Sequence, residues 1–121
     1  METVVQILIG LIALEHLYFL WMEMFSWETA GKKAFKNVLP DELFKPTIRL
    51  AANQGLYNGF LAAGLIWTFF ITDNMWRFYI SVFFLGCITI AGLFGGITAS
   101  KKIFIIQAIP AFFLIILILL M

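Results

Sequence analysis

Four apolar stretches, each close to twenty residues long, leave this chain of 121 residues few architectures to adopt. They run over about residues 4–24, 47–71, 78–99 and 103–121. An α-helix rises about 1.5 Å per residue, so about 20 residues cross a hydrocarbon core of about 30 Å. Strands of a transmembrane barrel would be about 10 residues long and would alternate polar with apolar residues. No such alternation is present. Hydrophobic residues make up 63% of the chain and charged residues 12%, against about 45–50% and about 25% in soluble domains. A soluble domain of this size could not hide that much apolar surface. The pattern therefore predicts an all-α integral membrane protein: one four-helix transmembrane domain over residues 1–121, with up-down-up-down order. It excludes an ordinary soluble enzyme and a disordered tail. With a net charge of +1, no nucleic-acid partner is implied. A single cysteine, Cys87, excludes an intrachain disulfide framework and a CxxC metal site, so no metal is expected.

The basic residues set the expected orientation. Lys32, Lys33, Lys36 and Lys45 lie in the first loop, Arg49 starts the second helix, and Lys101 and Lys102 lie in the last turn. Only Arg77 falls on the opposite side. Basic loops stay cytoplasmic, so both termini should face outward and the chain should be a multi-pass protein of a bacterial plasma membrane. Trp27 at the inner boundary, and Trp67 and Trp76 at the outer one, fit interfacial aromatic belts. The first stretch follows Glu2 rather than a basic segment and is too long for a signal peptide. The loop from Ser26 to Pro46 reads as a solvated connector, with a short helical turn at Asp41 and Glu42 after Pro40. Its functional alternative is a lid over an inner-facing site.

Polar residues inside the apolar stretches carry the functional information, because burying them in hydrocarbon is costly. Helix one holds Glu15 and His16 near the midplane and Glu23 near its inner end. His16 and Glu23 are seven residues apart and nearly in line on a helix. The second stretch carries Arg49, Asn53 and Tyr57 at spacings of four, with Gln54 and Asn58 beside them. Ala51, Gly55, Gly59 and Ala63 form a small-residue stripe on the opposite face, suited to close helix approach. Counting from the inner side puts Glu23 level with Arg49, as an ion pair, and Asn58 level with Glu15 and His16. Gln107, in the inner quarter of the last helix, can reach the same seam, and Pro110 should kink that helix. Gly92, Gly95, Gly96 and Ala99 read as a second packing stripe.

Three functions fit this seam. The first is a membrane-embedded site, open to the inside, for a lipophilic or amphiphilic small molecule. Glu15 and His16 would be its acid–base pair, and Glu23, Arg49, Asn53, Gln54, Tyr57, Asn58 and Gln107 would hold the polar head. The second is a proton-coupled exporter in which Glu15 binds proton and substrate in turn. The third is a structural or accessory membrane protein. The residues name no cofactor. Four helices enclose little volume, so a homo-oligomer, dimer or trimer, is expected besides the lipid bilayer itself.

Glu15-His16 with Glu23-Met24-Phe25, the run from Ala51 to Gly59, and Gly92 with Gln107-Ala-Ile-Pro110 together resemble a bacterial family of small membrane proteins, domain-of-unknown-function family 1304. That resemblance covers essentially the whole chain and implies four transmembrane helices without an established activity. Arg49, Asn53 and Tyr57 more remotely resemble the glutathione-facing helix of the membrane-associated eicosanoid and glutathione metabolism family. Leu56, however, stands where that family has an acidic residue. Glu15 is similar in position to the membrane-embedded Glu of small multidrug exporters.

Overall fold

The computed structural model describes residues 2–121, and among these it contains helices and turns but no strand. Helix α1 spans Glu2–Phe25, α2 is the short segment Lys32–Phe35, α3 spans Ile48–Trp67, α4 spans Asn74–Thr98 and α5 spans Lys101–Leu119. Helices α1, α4 and α5 are long and apolar enough to cross a membrane. Helix α3 has the length, 20 residues, but Arg49, Asn53, Gln54 and Asn58 lower its hydropathy.

Local chemistry sets the helix ends. Asp73 accepts a 3.0 Å bond from the Trp76 amide, so α4 starts at Asn74, before the apolar run itself begins. Ser100 caps α5 by accepting from the Lys102 amide at 3.2 Å. At Pro110 the helix changes its hydrogen-bond pattern. A π-helical turn over Phe104–Ala108 precedes it, with the Ile109 amide bonded to the Phe104 carbonyl. Proline has no amide hydrogen to return to Ile106, and a widened turn absorbs that loss.

Helix α1 packs most extensively along α3, and α4 packs along α5. Val5, Ile9, Ile12, His16 and Glu23 are all buried and follow each other at helical spacing on one face of α1. The apolar part of that face meets Leu65, Leu85, Ile88, Ala111 and Leu114 in a core away from the basic end of the molecule. Side chains such as Leu11, Leu14, Ile97, Phe112 and Phe113 point outward, as lipid-facing residues do.

Glycines let both helix pairs approach closely. A Cβ on Gly55 would stand 2.8 Å from Met24 Cγ and 3.2 Å from the Leu20 carbonyl. One on Gly92 would stand 2.5 Å from the Ala108 backbone nitrogen, which bears out the reading of Gly92 as packing. The α3 stripe behaves differently from expectation. Ala51 and Gly55 are buried, but Ala63 is exposed, and the buried line passes through Ala62 and Leu65 instead. The small face is also not opposite the polar one, since Gly55 and Gln54 both meet α1 at Glu23.

The loop after α1 is a folded cap rather than a solvated connector. A π-helical turn, Trp27–Gly31, leads into α2. The Trp27 indole donates to Thr47 Oγ1 at 2.9 Å, tying the start of the loop to the start of α3. Phe44 is completely buried, its ring 5.1 Å from that of Trp27. The expected turn after Pro40 is present as a 3₁₀ turn over Asp41–Leu43.

Candidate functional site at the lysine-bearing end of the helices

Glu23 is the centre of the polar cluster. It is only 3% exposed. Its Oε2 accepts from Gln54 Nε2 at 2.8 Å and its Oε1 from Asn58 Nδ2 at 2.6 Å. These contacts correct two expectations. Glu23 does not pair with Arg49, and Asn58 is not level with Glu15 and His16. The partners of Glu23 lie about seven residues further along α3, an axial displacement of about 10 Å at 1.5 Å per residue. The physical reason is where α3 begins: its first turn lies beyond the end of α1, beside the lysine-bearing loop, where an exposed Arg49 stays in water. Among the described residues the one ion pair is Arg77–Glu2, at 2.9 Å near the other end of the molecule.

His16 is fully buried and lies between Glu23 and the apolar core. Its Nδ1 is 2.9 Å from the Ile12 carbonyl, and its Nε2 is 3.2 Å from Gln107 Nε2. A carbonyl can only accept, so Nδ1 carries the proton and Nε2 accepts from the Gln107 amide. This tautomer is assigned from its partners. The π-helical turn that contains Gln107 carries it to His16.

Glu15 and His16 are not joined. One residue of helix turns a side chain by about 100°, which puts His16 on the buried stripe and Glu15 at its edge. Glu15 faces a separate cleft of about 220 Å³, lined otherwise by Leu8, Leu11, Ile12, Pro110, Phe113 and Leu114. Its Oε1 is buried without a hydrogen-bond partner. The expected acid–base pair is therefore split between two environments. Arg49, Asn53 and Tyr57 also depart from expectation, because all three are exposed, Tyr57 by 57%. Of these, Tyr57 alone borders a cavity.

Two adjoining cavities border the Glu23 cluster. One, of about 210 Å³, runs between α1, the cap and α5, past Tyr18, Phe19, Phe35, Val38, Ile103 and Lys102. The other, of about 540 Å³, runs between α3, α4 and the cap. Glu23, Gln54, Asn58 and Gln107 belong to the walls of both. Three helices and the cap thus bring four of the nine expected site residues to one place. Lys102, Phe35 and Val38 were not among those expected. Only a folded loop puts Phe35 and Val38 there, and loop folding leaves no periodic trace in a sequence.

The fold and the polar cluster around the buried Glu23 define a small helical protein suited to a bilayer. It belongs to the DUF1304 family of proteins of unknown function, whose sequence profile matches residues 10–119. It is similar to the uncharacterized protein YpaA of Lactococcus lactis subsp. lactis (strain IL1403), with 31% identity over 107 residues that cover 87% of this chain and 88% of the relative. No solved structure matches it.

Proposed function

We propose that this protein is a four-helix transmembrane bundle of up-down-up-down order, with both termini outside. It binds a lipophilic or amphiphilic small molecule in the cavities at its cytoplasmic end. The observation that carries this reading is that Glu23 and the amides of Gln54, Asn58 and Gln107 together border two adjoining cavities. Ligand sites are concave, of about 300–1,000 Å³, with mainly apolar walls and a few convergent polar groups. The larger cavity at Glu23, of about 540 Å³, lies in that range, and the smaller one adjoins it with Phe19, Met22, Phe35 and Ile106 on its apolar side.

The orientation is supported by the cap lysines and the turn lysine Lys102 at one end of the molecule, with the single Arg77–Glu2 pair at the other. The bacterial relative supports a plasma-membrane location. We propose a homo-oligomer as well, because Asn53 and Tyr57 lie on the exposed face of α3, where hydrocarbon offers their polar atoms no partner.

The test is native mass spectrometry of protein purified in a mild detergent. Wild type should retain an amphiphile that Val38→Trp, which fills the cavity, and Asn58→Leu both lose. Identical retained lipids in all three proteins would overturn the reading.

A further inference from the structure

Three amides border the cavities, and each is anchored by its NH2 group. Gln54 Nε2 and Asn58 Nδ2 donate to Glu23, and Gln107 Nε2 donates to His16. These orientations are dictated by chemistry. When Glu23 is ionised it has only acceptors, and His16 Nε2 is an acceptor because Nδ1 is committed to the Ile12 carbonyl. The consequence concerns the other end of each amide. Among the described residues, Gln54 Oε1, Asn58 Oδ1 and Gln107 Oε1 make no hydrogen bond. All three belong to residues in the walls of both cavities, as does Glu23. Each NH2 group also keeps a second N–H, so the cluster offers carbonyl oxygens and amide N–H groups alike, and what gives it a sign is the charge of an ionised Glu23. The only other charged residue on these walls is Lys102, which is exposed and makes no ion pair with Glu23 among the described residues. A long lysine side chain at such a rim keeps its ammonium group in water.

Resting on the ligand-binding reading above, we infer that the polar group received here is a primary ammonium carried on an amphiphile. It offers three N–H donors and one positive charge to three amide carbonyls and a carboxylate. A quaternary ammonium supplies the charge without the donors, and an alcohol supplies one donor without the charge. An anionic head would be repelled by the Glu23 carboxylate.

The test compares three probes of equal chain length at pH 7: dodecylamine, dodecyltrimethylammonium and dodecanol. Their binding to purified protein in a maltoside detergent is measured by isothermal titration calorimetry against micelle-only blanks. Dodecylamine is protonated at this pH, as a lysine amine is. It should bind wild type at least about tenfold more tightly than the other two, the scale of unmade hydrogen bonds to a charged group. Glu23→Gln, and separately Gln107→Leu, should each remove most of the preference for dodecylamine over dodecanol. Both variants are first checked for wild-type helicity. Equal affinity for dodecylamine and either other probe overturns the ammonium assignment and leaves the cavity reading standing. So does thermal stabilisation of wild type, but not of Glu23→Gln, by sodium chloride relative to tetramethylammonium chloride, which would make the cluster an alkali-cation site. Absence of saturable binding of all three probes, with Val38→Trp indistinguishable from wild type, overturns the cavity reading itself.

Discussion

Asn58 donates a 2.6 Å hydrogen bond to Glu23 across the α1–α3 interface, and this contact sets how the two helices are matched in depth. Gly55 meets Met24 and Gly59 meets Leu20 in the same register. Polar pairing and small-residue packing therefore select one alignment together. Hydrogen bonds between transmembrane helices contribute about 0.6–2 kcal/mol each, which alone would leave the register loosely held.

Replacing Asn58 with leucine should lower thermal stability in detergent, by an amount corresponding to about 1–2 kcal/mol. It removes one donor from a buried carboxyl group and puts an apolar group against it. Gln54→Leu should cost a similar amount, and the two effects should not add, because both act on the same Glu23. Wild-type melting of Asn58→Leu would mean that α3 does not hold Glu23.

The glycines give a graded series. Gly92→Ala puts a methyl group 2.5 Å from the Ala108 backbone nitrogen, which cannot move without shifting α5. It should destabilise by about 1–3 kcal/mol, the usual cost of overpacking. Gly55→Ala meets Met24, which can yield, and the Leu20 carbonyl, which cannot, so its effect should be smaller but in the same direction. Gly86 has nothing within 4 Å of its Cβ position, so Gly86→Ala should be neutral or stabilising by up to about 1 kcal/mol. Equal melting temperatures across the three variants would remove close approach as the role of Gly55 and Gly92.

Much of this arrangement is legible in the sequence because period and length dictate it. The helices follow from apolar stretches long enough to cross a membrane. Glu23, Gln54, Asn58 and Gln107 stand out because polar groups in such stretches need partners. What the sequence does not supply is the depth match between helices. Two helix ends on one side of the molecule need not be level when a folded cap rather than a tight turn joins them: α1 ends at Phe25, and α3, starting at Ile48, begins beyond that level. Counting from run boundaries therefore put Arg49 where Asn58 stands. The folded cap was invisible for a different reason. Trp27, Phe44 and Thr47 are far apart in the chain and come together only through turns.

Orientation can be tested at the cap. Asn37 is exposed, and none of the cavity residues depends on it. In a background where Cys87 is replaced by alanine, Asn37→Cys should react with a membrane-impermeant maleimide only in inverted vesicles. Labelling in intact cells would reverse the proposed topology.

Glu15 offers the sharpest contrast with Glu23. Its Oε1 is buried without a partner, in a cleft whose other walls are Leu8, Leu11, Ile12, Pro110, Phe113 and Leu114. An unmet buried polar group costs about 1–3 kcal/mol, and replacing it with an apolar group of similar shape removes that cost. Glu15→Leu should therefore raise thermal stability in detergent by an amount equivalent to about 1 kcal/mol or more. Glu15→Gln should not, because its amide brings donors and an acceptor that the cleft cannot satisfy either. The two variants are to be compared by thermal unfolding and by size-exclusion chromatography. If Glu15→Leu melts below wild type or changes its assembly state while Glu15→Gln preserves both, the carboxyl group has a partner outside the single chain. The cleft would then be a second site rather than a fault in packing.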